Sequence, residues 1–227
     1  YNNHISNRRI RHTFFDTIET ELQAYLLGFY AADGSIDEKR KTLRVHLQSG
    51  DSEIVYLFKD SISPDARTFT VAPHIVTGRN GMKVNAHASF GVDITSSKLC
   101  NALVDLGIGY NKSVAELKIP SIPEDLVKHF IRGYFDGDGC ITIKSTGFSV
   151  CSICCNSKVF LEDLKSILAK YNILCRPICK EIKNRKNSIY VLYLSGRSNQ
   201  LKFKDFIYKN VNVYLVRKYD KFMKIPC

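Results

Sequence analysis

The sequence predicts an α/β (α+β) fold made of two copies of one half, each with the element order αββαββα. Two segments, Leu26–Gly34 (LLGFYAADG) and Ile131–Gly139 (IRGYFDGDG), share an apolar helical pattern with an internal glycine and a terminal Asp-Gly. The copies lie 105 positions apart, and strand-like sequence follows each. A repeat of this length is too long for a solenoid and indicates duplication of a whole half. It predicts a pseudo-twofold molecule.

The first motif reads as a helix from Glu21 to Ala32, with small residues on a separate stripe. This stripe contains Ala24 and Gly28, and the second copy repeats it with Gly133 and Gly137. A glycine inside a helix costs about 1 kcal/mol against alanine, so it usually marks the close approach of another backbone. We therefore expect the two helices to pack through these stripes, and each to end at its Asp-Gly.

The remaining sequence reads as alternating strands and helices. Leu43–Gln48 alternates apolar and polar residues, as a half-buried strand does. The first half continues with a helix at Asp51–Ser61, strands within Arg67–Ile94 with a tight turn at 79–81, and a helix at Ser97–Leu106. The second half continues with strands near Cys140–Lys144 and Phe148–Cys154, a helix at Ser157–Tyr171, a hairpin within Arg176–Leu194 and a helix near Asn199–Tyr208.

The duplication also predicts the domain organisation. Residues 1–19 form a basic N-terminal arm, residues 20–118 the first half, residues 119–125 a linker with two prolines, and residues 126–227 the second half. The arm is expected either to lie on a partner's phosphates or to be a disordered leader.

The composition favours a polyanionic partner. Lys and Arg number 33 against 22 Asp and Glu, a formal net charge of +11. Such an excess attracts nucleic acid first and an anionic membrane surface second, although a basic protein with no such partner stays an alternative. No apolar run approaches the roughly 18 residues of a membrane span, and no strongly cationic amphipathic helix stands out. We therefore expect no membrane contact.

Eight cysteines allow a metal or a disulfide interpretation. Cys151 and Cys154 fall at odd and even positions of a strand-like run, so their side chains should point to opposite faces. The sequence around them lacks a turn that would gather zinc ligands. We therefore expect free thiols in a reducing, intracellular compartment.

The two glycine-centred helices ending in Asp-Gly, each followed by a strand-rich half, resemble the LAGLIDADG homing endonucleases in their single-chain form with two motifs. The resemblance covers nearly the whole chain from about Thr17, with Lys112 and Lys218 in register after the two halves. It implies two antiparallel sheets that form a DNA-binding saddle around the motif helices. It also implies a monomer that binds a long, asymmetric target in double-stranded DNA.

The implied activity is site-specific double-strand cleavage across the minor groove, leaving short 3′ overhangs. Asp33 and Asp138 match the final acid of each motif and are expected to bind divalent metal, together with the carbonyls of Ala32 and Gly137. Mg²⁺ suits these oxygen ligands, and Mn²⁺ or Ca²⁺ would occupy the same sites. A bound Mg²⁺ would supply the nucleophilic water and neutralise charge at phosphorus.

Three further residues match polar positions near the metal. Lys112 and Lys218 would stabilise the transition-state phosphate or tune the metal-bound water, and the alternatives are a surface phosphate clamp or a solvated lysine. Gln48 matches a polar strand residue near the metal, whereas its counterpart in the second half is Cys154. We therefore expect two unequal active sites.

The sixth motif position, often acidic, is Ala31 in the first copy and Asp136 in the second. This departure and Cys154 keep open a non-cleaving nucleic-acid-binding protein on the same scaffold, such as an intron maturase or a transcription regulator. An intein-embedded enzyme is a third interpretation. We expect no splicing domain in this sequence, and an excised endonuclease domain stays open.

Base recognition is expected on the outward faces of the sheets, because a two-stranded ribbon fits the major groove. The candidates in the first half are Arg44, His46, Arg67, Arg79 and Lys83. The candidates in the second half are Lys144, Ser152, Lys180, Lys183 and Arg185. Many of them would contact phosphates, which position a protein without reading sequence.

Overall fold

The structure is a computed structural model that describes residues 9–77, 83–110, 117–184 and 187–225. The helices are α1 (Glu21–Asp33), α2 (Ser52–Ile62), α3 (Ser97–Asp105), α4 (Glu124–Asp138), α5 (Lys158–Lys170), α6 (Gly196–Tyr208) and α7 (Val216–Met223). The strands are β1 (Ser35–Asp37), β2 (Thr42–Gln48), β3 (Thr68–Val71), β4 (His74–Thr77), β5 (Lys83–Ala86), β6 (Ser89–Thr95), β7 (Gly139–Ile143), β8 (Ser149–Cys155), β9 (Cys179–Asn184) and β10 (Asn187–Tyr193). The mixed α/β class with antiparallel sheets is confirmed.

Each half contains a four-stranded antiparallel sheet, and the two sheets have equivalent strand orders. The order is β1-β2-β6-β3 in the first half and β7-β8-β10-β9 in the second. In both, the two strands that follow the motif helix pair with each other, and the strands that follow the next helix complete the sheet. The strands β4 and β5 form a separate two-stranded sheet, which is an addition to the αββαββα order.

The chain forms two compact units. The first comprises the described residues up to Asp16 together with Asp33–Ala102, and the second comprises Thr17–Ala32 together with the described residues from Leu103 onward. Nearly all of α1 therefore belongs to the unit that contains α4. The predicted boundaries between arm, halves and linker stay predictions.

Within the second unit, α1 and α4 pack through their glycines. A Cβ added to Gly28 would lie 2.0 Å from the carbonyl oxygen of Phe130, and one added to Gly133 would lie 2.0 Å from that of Tyr25. Phe130 and Tyr25 each precede the motif glycine of their own helix by three residues, so the contact is reciprocal. The predicted packing through small stripes is confirmed.

In the first unit, α2 contacts β2 and β6 and covers one face of the sheet. Leu43, Val45 and Leu47 of β2 are buried, whereas the residues between them are exposed or half-buried. The predicted alternation of this strand is confirmed. Its polar side chains lie on the face opposite α2.

The described part of the N-terminal arm packs on the first unit. Arg9 forms an ion pair with Asp65 at 3.0 Å, and the backbone N–H of Arg11 donates to the carbonyl of Ile62 at the end of α2. The sequence left a phosphate-binding arm and a disordered leader open. Arg9 and Arg11 lie against α2 and the loop after it, and binding of this segment to a partner's phosphates stays a prediction.

The second unit contains a helix that the sequence pattern did not predict. Helix α7 buries Lys218 and Phe222 and packs against β7. In β8, Cys151 is buried and Cys154 is half-buried on the opposite face, as their positions predicted. Among the described residues, no helix combines the length and apolar character that a membrane span requires.

Candidate active site

Asp138, the last residue of α4, is exposed and lies on the rim of a cavity of about 280 Å³. Ala32 at the end of α1, Tyr134 of α4, Cys154 of β8 and Asn156 also line this cavity. The carboxylate and the Asn156 amide supply oxygen atoms, whereas most of the wall is apolar. The cavity therefore places a carboxylate at the edge of a small, partly enclosed space next to the end of α1.

Tyr134 is a site residue that the sequence analysis missed. Its hydroxyl donates to the carbonyl of Cys154 at 3.1 Å. Burial, and then the neighbouring Cys155 and Asp138, raise the pKa of Tyr134 well above its ordinary value, so the phenol stays protonated. Tyr134 precedes Asp138 by four residues, a spacing that puts both on one helix face and could have identified it.

Lys218 lies at the C-terminal end of α4. Its Nζ donates to the carbonyls of Phe135 at 2.7 Å, Gly137 at 2.9 Å and Gly139 at 2.6 Å. An ammonium group has three N–H donors, and these three carbonyls account for them. The structure therefore gives Lys218 a capping position at a helix end, where a cation also interacts favourably with the helix dipole. A direct contact to phosphate would require Lys218 to release a carbonyl.

The same geometry bears on the carbonyl of Gly137, which was expected to bind metal. This oxygen accepts a hydrogen bond from the Lys218 ammonium at 2.9 Å. A divalent cation on the same oxygen would lie close to that positive charge, which disfavours it. The expectation for Gly137 is therefore weakened, whereas the carbonyl of Ala32 has no such neighbour among the contacts of the described residues.

Asp136, the sixth residue of the second motif, is fully buried beneath the site. Its carboxylate accepts hydrogen bonds from the hydroxyls of Tyr25 and Tyr208 and from the backbone N–H of Leu215. Burial raises the pKa of Asp136 to about 6, against the opposing effect of these donors. Asp136 thus joins α1, α4, α6 and the start of α7, and it faces away from solvent.

A second buried polar network surrounds Arg132 of α4. The guanidinium donates to Glu21 at 2.7 Å, to the carbonyls of Val213 and Ile207, and to Nδ1 of His129 at 2.7 Å. Burial, and then the charge of Arg132, lower the pKa of His129 to about 4, so the imidazole is neutral and accepts this bond. The network fixes α1 and α6 against α4.

In the first unit, Asp33 is the last residue of α1 and Gln48 the last residue of β2, and both are exposed. Lys112 lies outside the described residues. Each motif helix therefore ends on an exposed carboxylate preceded by a backbone carbonyl. Mg²⁺ is commonly held by one or two carboxylates and several waters, and these donors fit it. Among the described residues, no group of three His, Cys, Asp or Glu side chains gathers into a metal cluster.

Residues 125–208 match the family model described as a LAGLIDADG-like domain. The matched residues, which lie in the second half of the chain, form a LAGLIDADG-like domain. Its fold is similar to that of the homing endonuclease I-WcaI bound to its DNA recognition sequence, with a TM-score of 0.55, 17% identity, and coverage of 89% of this chain and 87% of that one. It is also similar to full-length DUF199/WhiA from Thermatoga maritima, with a TM-score of 0.51, 18% identity, and coverage of 93% and 63%. These similarities establish the LAGLIDADG fold.

The match to each curated relative covers only a small part of that relative's own length. The chain is 30% identical over 160 residues to the probable translation initiation factor IF-2 of Methanocaldococcus jannaschii, covering 63% of this chain and 13% of that protein. It is 26% identical over 219 residues to the replication factor C small subunit of the same organism, covering 93% and 10%. The chain thus spans about a tenth of each of these relatives.

The predicted DNA contacts of the first half are partly gathered on one surface. Arg44 and His46 lie side by side on the exposed face of the sheet. Arg67 precedes β3 and Lys83 begins β5, and both are exposed. Arg79 lies outside the described residues.

The candidates in the second half of the chain do not share one face. Lys144 is exposed after β7, with its Nζ 5.7 Å from the ring centroid of Phe148. Ser152 is buried between its cross-strand partners, so it has little surface for a base contact, contrary to expectation. Tyr190 is directly opposite both Lys180 and Cys155, so these three side chains share one face of the sheet. Ser152 is three residues from Cys155 on β8 and therefore lies on the other face. The side chain of Lys183, and Arg185, lie outside the described residues.

Proposed function

We propose that this protein is a site-specific DNA endonuclease that uses a divalent metal to hydrolyse a phosphodiester on each strand of a duplex, leaving short 3′ overhangs. The observation that carries the proposal is that both motif helices end on an exposed carboxylate, Asp33 and Asp138. The glycines that bring α1 and α4 together support it, because they hold Ala32 and Asp138 around one cavity. The net charge of +11 suits a DNA substrate.

In this proposal Asp33 and Asp138 each hold a divalent metal, and the carbonyl of Ala32 is a further oxygen ligand. Bound Mg²⁺, or Mn²⁺ in its place, would activate water and neutralise charge at phosphorus. Tyr134 keeps its proton and orients the backbone beside Asp138. Lys218 acts as a positioning residue that holds the end of α4, and Lys112 keeps the basic role predicted for it.

The two sites are proposed to be unequal. Gln48 presents an exposed amide at the end of β2, whereas Cys154 presents a half-buried thiol to the cavity beside Asp138. An amide can orient a water by hydrogen bonding, and a thiol does so weakly. The DNA strand that is cut at the Asp138 site is therefore expected to be nicked more slowly than the other strand.

The test is a randomised duplex library incubated with the protein and Mg²⁺, with sequencing of the cut ends. Linear product with defined 3′ overhangs supports the proposal, and the Asp33→Asn and Asp138→Asn variants should lose it while still binding the selected duplex in EDTA. Asp60→Asn, the same charge change on the exposed surface of α2, is the control and should cut normally. Binding without cleavage in either Mg²⁺ or Mn²⁺ would overturn the proposal.

That last outcome would favour the second candidate, a non-cleaving nucleic-acid-binding protein such as an intron maturase or a transcription regulator. The observations that favour it are Ala31 in place of an acid and Cys154 in place of a polar residue. An RNA-splicing assay on a host intron separates the two, because a pure endonuclease should not assist splicing.

We further propose that the segment belongs to larger host proteins. The five curated matches include translation factors, an RNA polymerase subunit and a replication factor subunit, and the chain covers between 6% and 18% of each. A domain shared by proteins of such different functions is not tied to any one of them. This favours an origin as an inserted, excisable endonuclease domain.

A further inference from the structure

We propose that Asp93 of β6 determines sequence specificity by holding Arg44 and His46 of β2 ready for base edges and by keeping phosphates away from them. This inference rests on the proposed function, since it requires that the first sheet binds DNA. All residues that carry it belong to the first unit.

The register of the sheet places these side chains on one face. In an antiparallel pair, residues directly opposite each other point to the same side. Arg44 is opposite Asp93, and His46 is opposite Gly91, whose other partner is Phe69 on β3. The opposite face of the sheet carries buried apolar side chains and is covered by α2. The cluster of Arg44, His46, Asp93 and Phe69 therefore lies on the open face.

Asp93 contacts both Arg44 and His46. Its carboxylate lies 2.6 Å from Nε2 of His46 and 3.6 Å from Nε of Arg44. A second carboxylate, Asp37 on β1, lies 2.7 Å from Nη2 of Arg44. The side chains of Arg44, His46 and Asp93 are 29%, 40% and 38% exposed, so a ligand can reach them.

The His46 ring is fixed from a second side. A Cβ on Gly91 would lie 2.7 Å from Cδ2 of His46, so the imidazole rests directly on the glycine backbone. The ring of Phe69 meets it edge to face, with centroids 4.9 Å apart. Because the carboxylate of Asp93 accepts from Nε2, the Nδ1 atom is left for another partner. One imidazole nitrogen is therefore presented in a defined direction.

The guanidinium of Arg44 is held less completely than the His46 ring. Its Nε is buried, and within the described residues it has no hydrogen-bond acceptor at bonding distance. The buried Nε–H cannot itself reach a base, but two carboxylates place the guanidinium, and its other N–H donors are on the Nη atoms. A guanidinium in this state can donate to guanine O6 and N7 without losing either ion pair.

The two carboxylates also discriminate between ligands. A phosphate approaching Arg44 would meet the negative charges of Asp93 and Asp37, whereas a base edge carries no net charge. Asp93 can additionally accept from the N4 amino group of cytosine. This is specificity through repulsion of the wrong partner. A G·C pair, which offers both acceptors and a donor in the major groove, is the base pair that this cluster fits.

The experiment compares base preferences selected from a randomised duplex library, and the salt dependence of binding, for the full chain and its variants. With Asp93→Asn we expect a preference for G·C at one or two adjacent target positions to fall about tenfold. Binding to unrelated duplex should strengthen, with a salt slope steeper by about one because a phosphate now contacts Arg44. Asp93→Glu should retain much of the discrimination. Asp60→Asn, an equal charge change on α2, should leave the base preferences unchanged.

The outcomes separate the inference from the proposed function. If the native chain selects a target and Asp93→Asn selects the same base preferences with the same salt slope, the role of Asp93 is overturned while DNA binding stands. If the native chain selects no duplex at all, both are overturned. Thermal unfolding of each variant, which a surface substitution should change little, identifies any loss that comes from misfolding.

Discussion

The α-carbon of Gly133 lies against the backbone carbonyl of Tyr25, so closely that a Cβ on the glycine would stand 2.0 Å from the carbonyl oxygen. The equivalent contact joins Gly28 to the carbonyl of Phe130. Backbone atoms cannot move aside as a flexible side chain can. The separation of α1 and α4, and with it the position of the cavity beside Asp138, depends on these two residues having no side chain.

Gly133→Ala should force the two helices apart. We expect the free energy of unfolding to fall by at least about 1–3 kcal/mol, because the added methyl overpacks a rigid contact. Urea unfolding measures this loss. Gly50→Ala is the matched control, since a Cβ there would meet nothing within 4 Å. Similar losses in both variants would contradict the packing argument.

Arg132→Leu should destabilise the second unit strongly. The change leaves Glu21 partly buried without its partner and removes the donors to His129, Ile207 and Val213. Breaking a buried ion pair in this way costs about 3–5 kcal/mol. Chemical unfolding should show that loss, whereas Arg197→Leu, at an exposed position of α6, should stay within about 0.5 kcal/mol of the native chain.

Asp136 and His129 should give opposite dependences of stability on pH. The folded-state pKa of Asp136 is raised from 3.8 to about 6, so its contribution to stability decreases as pH rises through that window. The folded-state pKa of His129 is lowered from 6.5 to about 4, so its contribution is complete above pH 6.5 and is lost as pH falls toward 4.

The two trends can be separated by substitution. Asp136→Asn leaves the histidine, so stability should rise with pH between about 4 and 6.5 more steeply than in the native chain. His129→Gln leaves the carboxylate, so stability should fall with pH over much of that range. Unfolding free energies measured at several pH values test this. Native-like slopes in both variants would show that neither group titrates as described.

Lys218→Met should loosen the C-terminal end of α4. Three carbonyls lose a charged donor, and we expect a loss of roughly 1–3 kcal/mol in unfolding free energy. If Lys218 is a positioning residue, nicking of the strand served by Asp138 should slow more than nicking of the other strand. Lys221→Met, at an exposed position of the same helix, is the control. Equal slowing of both strands would contradict the assignment.

The duplication and the helix packing were predictable because they depend on local patterns. Gly28 and Gly133 recur at one spacing within apolar helical sequence, and only close backbone contact explains glycine there. The alternation of β2 separated buried Leu43 from exposed His46 for a similar reason, since strand geometry alone assigns neighbouring residues to opposite faces. The terminal acids of both motifs were identified from the repeat itself.

The polar partners were not predictable, because they come from distant parts of the chain. The pattern marked Asp136 only as a motif position and Arg132 only as a polar residue of a helix, yet Tyr208, Leu215 and Val213 bury and satisfy them. Lys218 aligned with Lys112 by spacing, but the unpredicted helix α7 carries its ammonium to the end of α4. The sequence alone determined the repeat, most of the helices and strands, and the acids, because short-range periodicity encodes them. Only the tertiary structure decided which charges are buried and which are presented, because solvation and pairing depend on contacts between residues far apart in the chain.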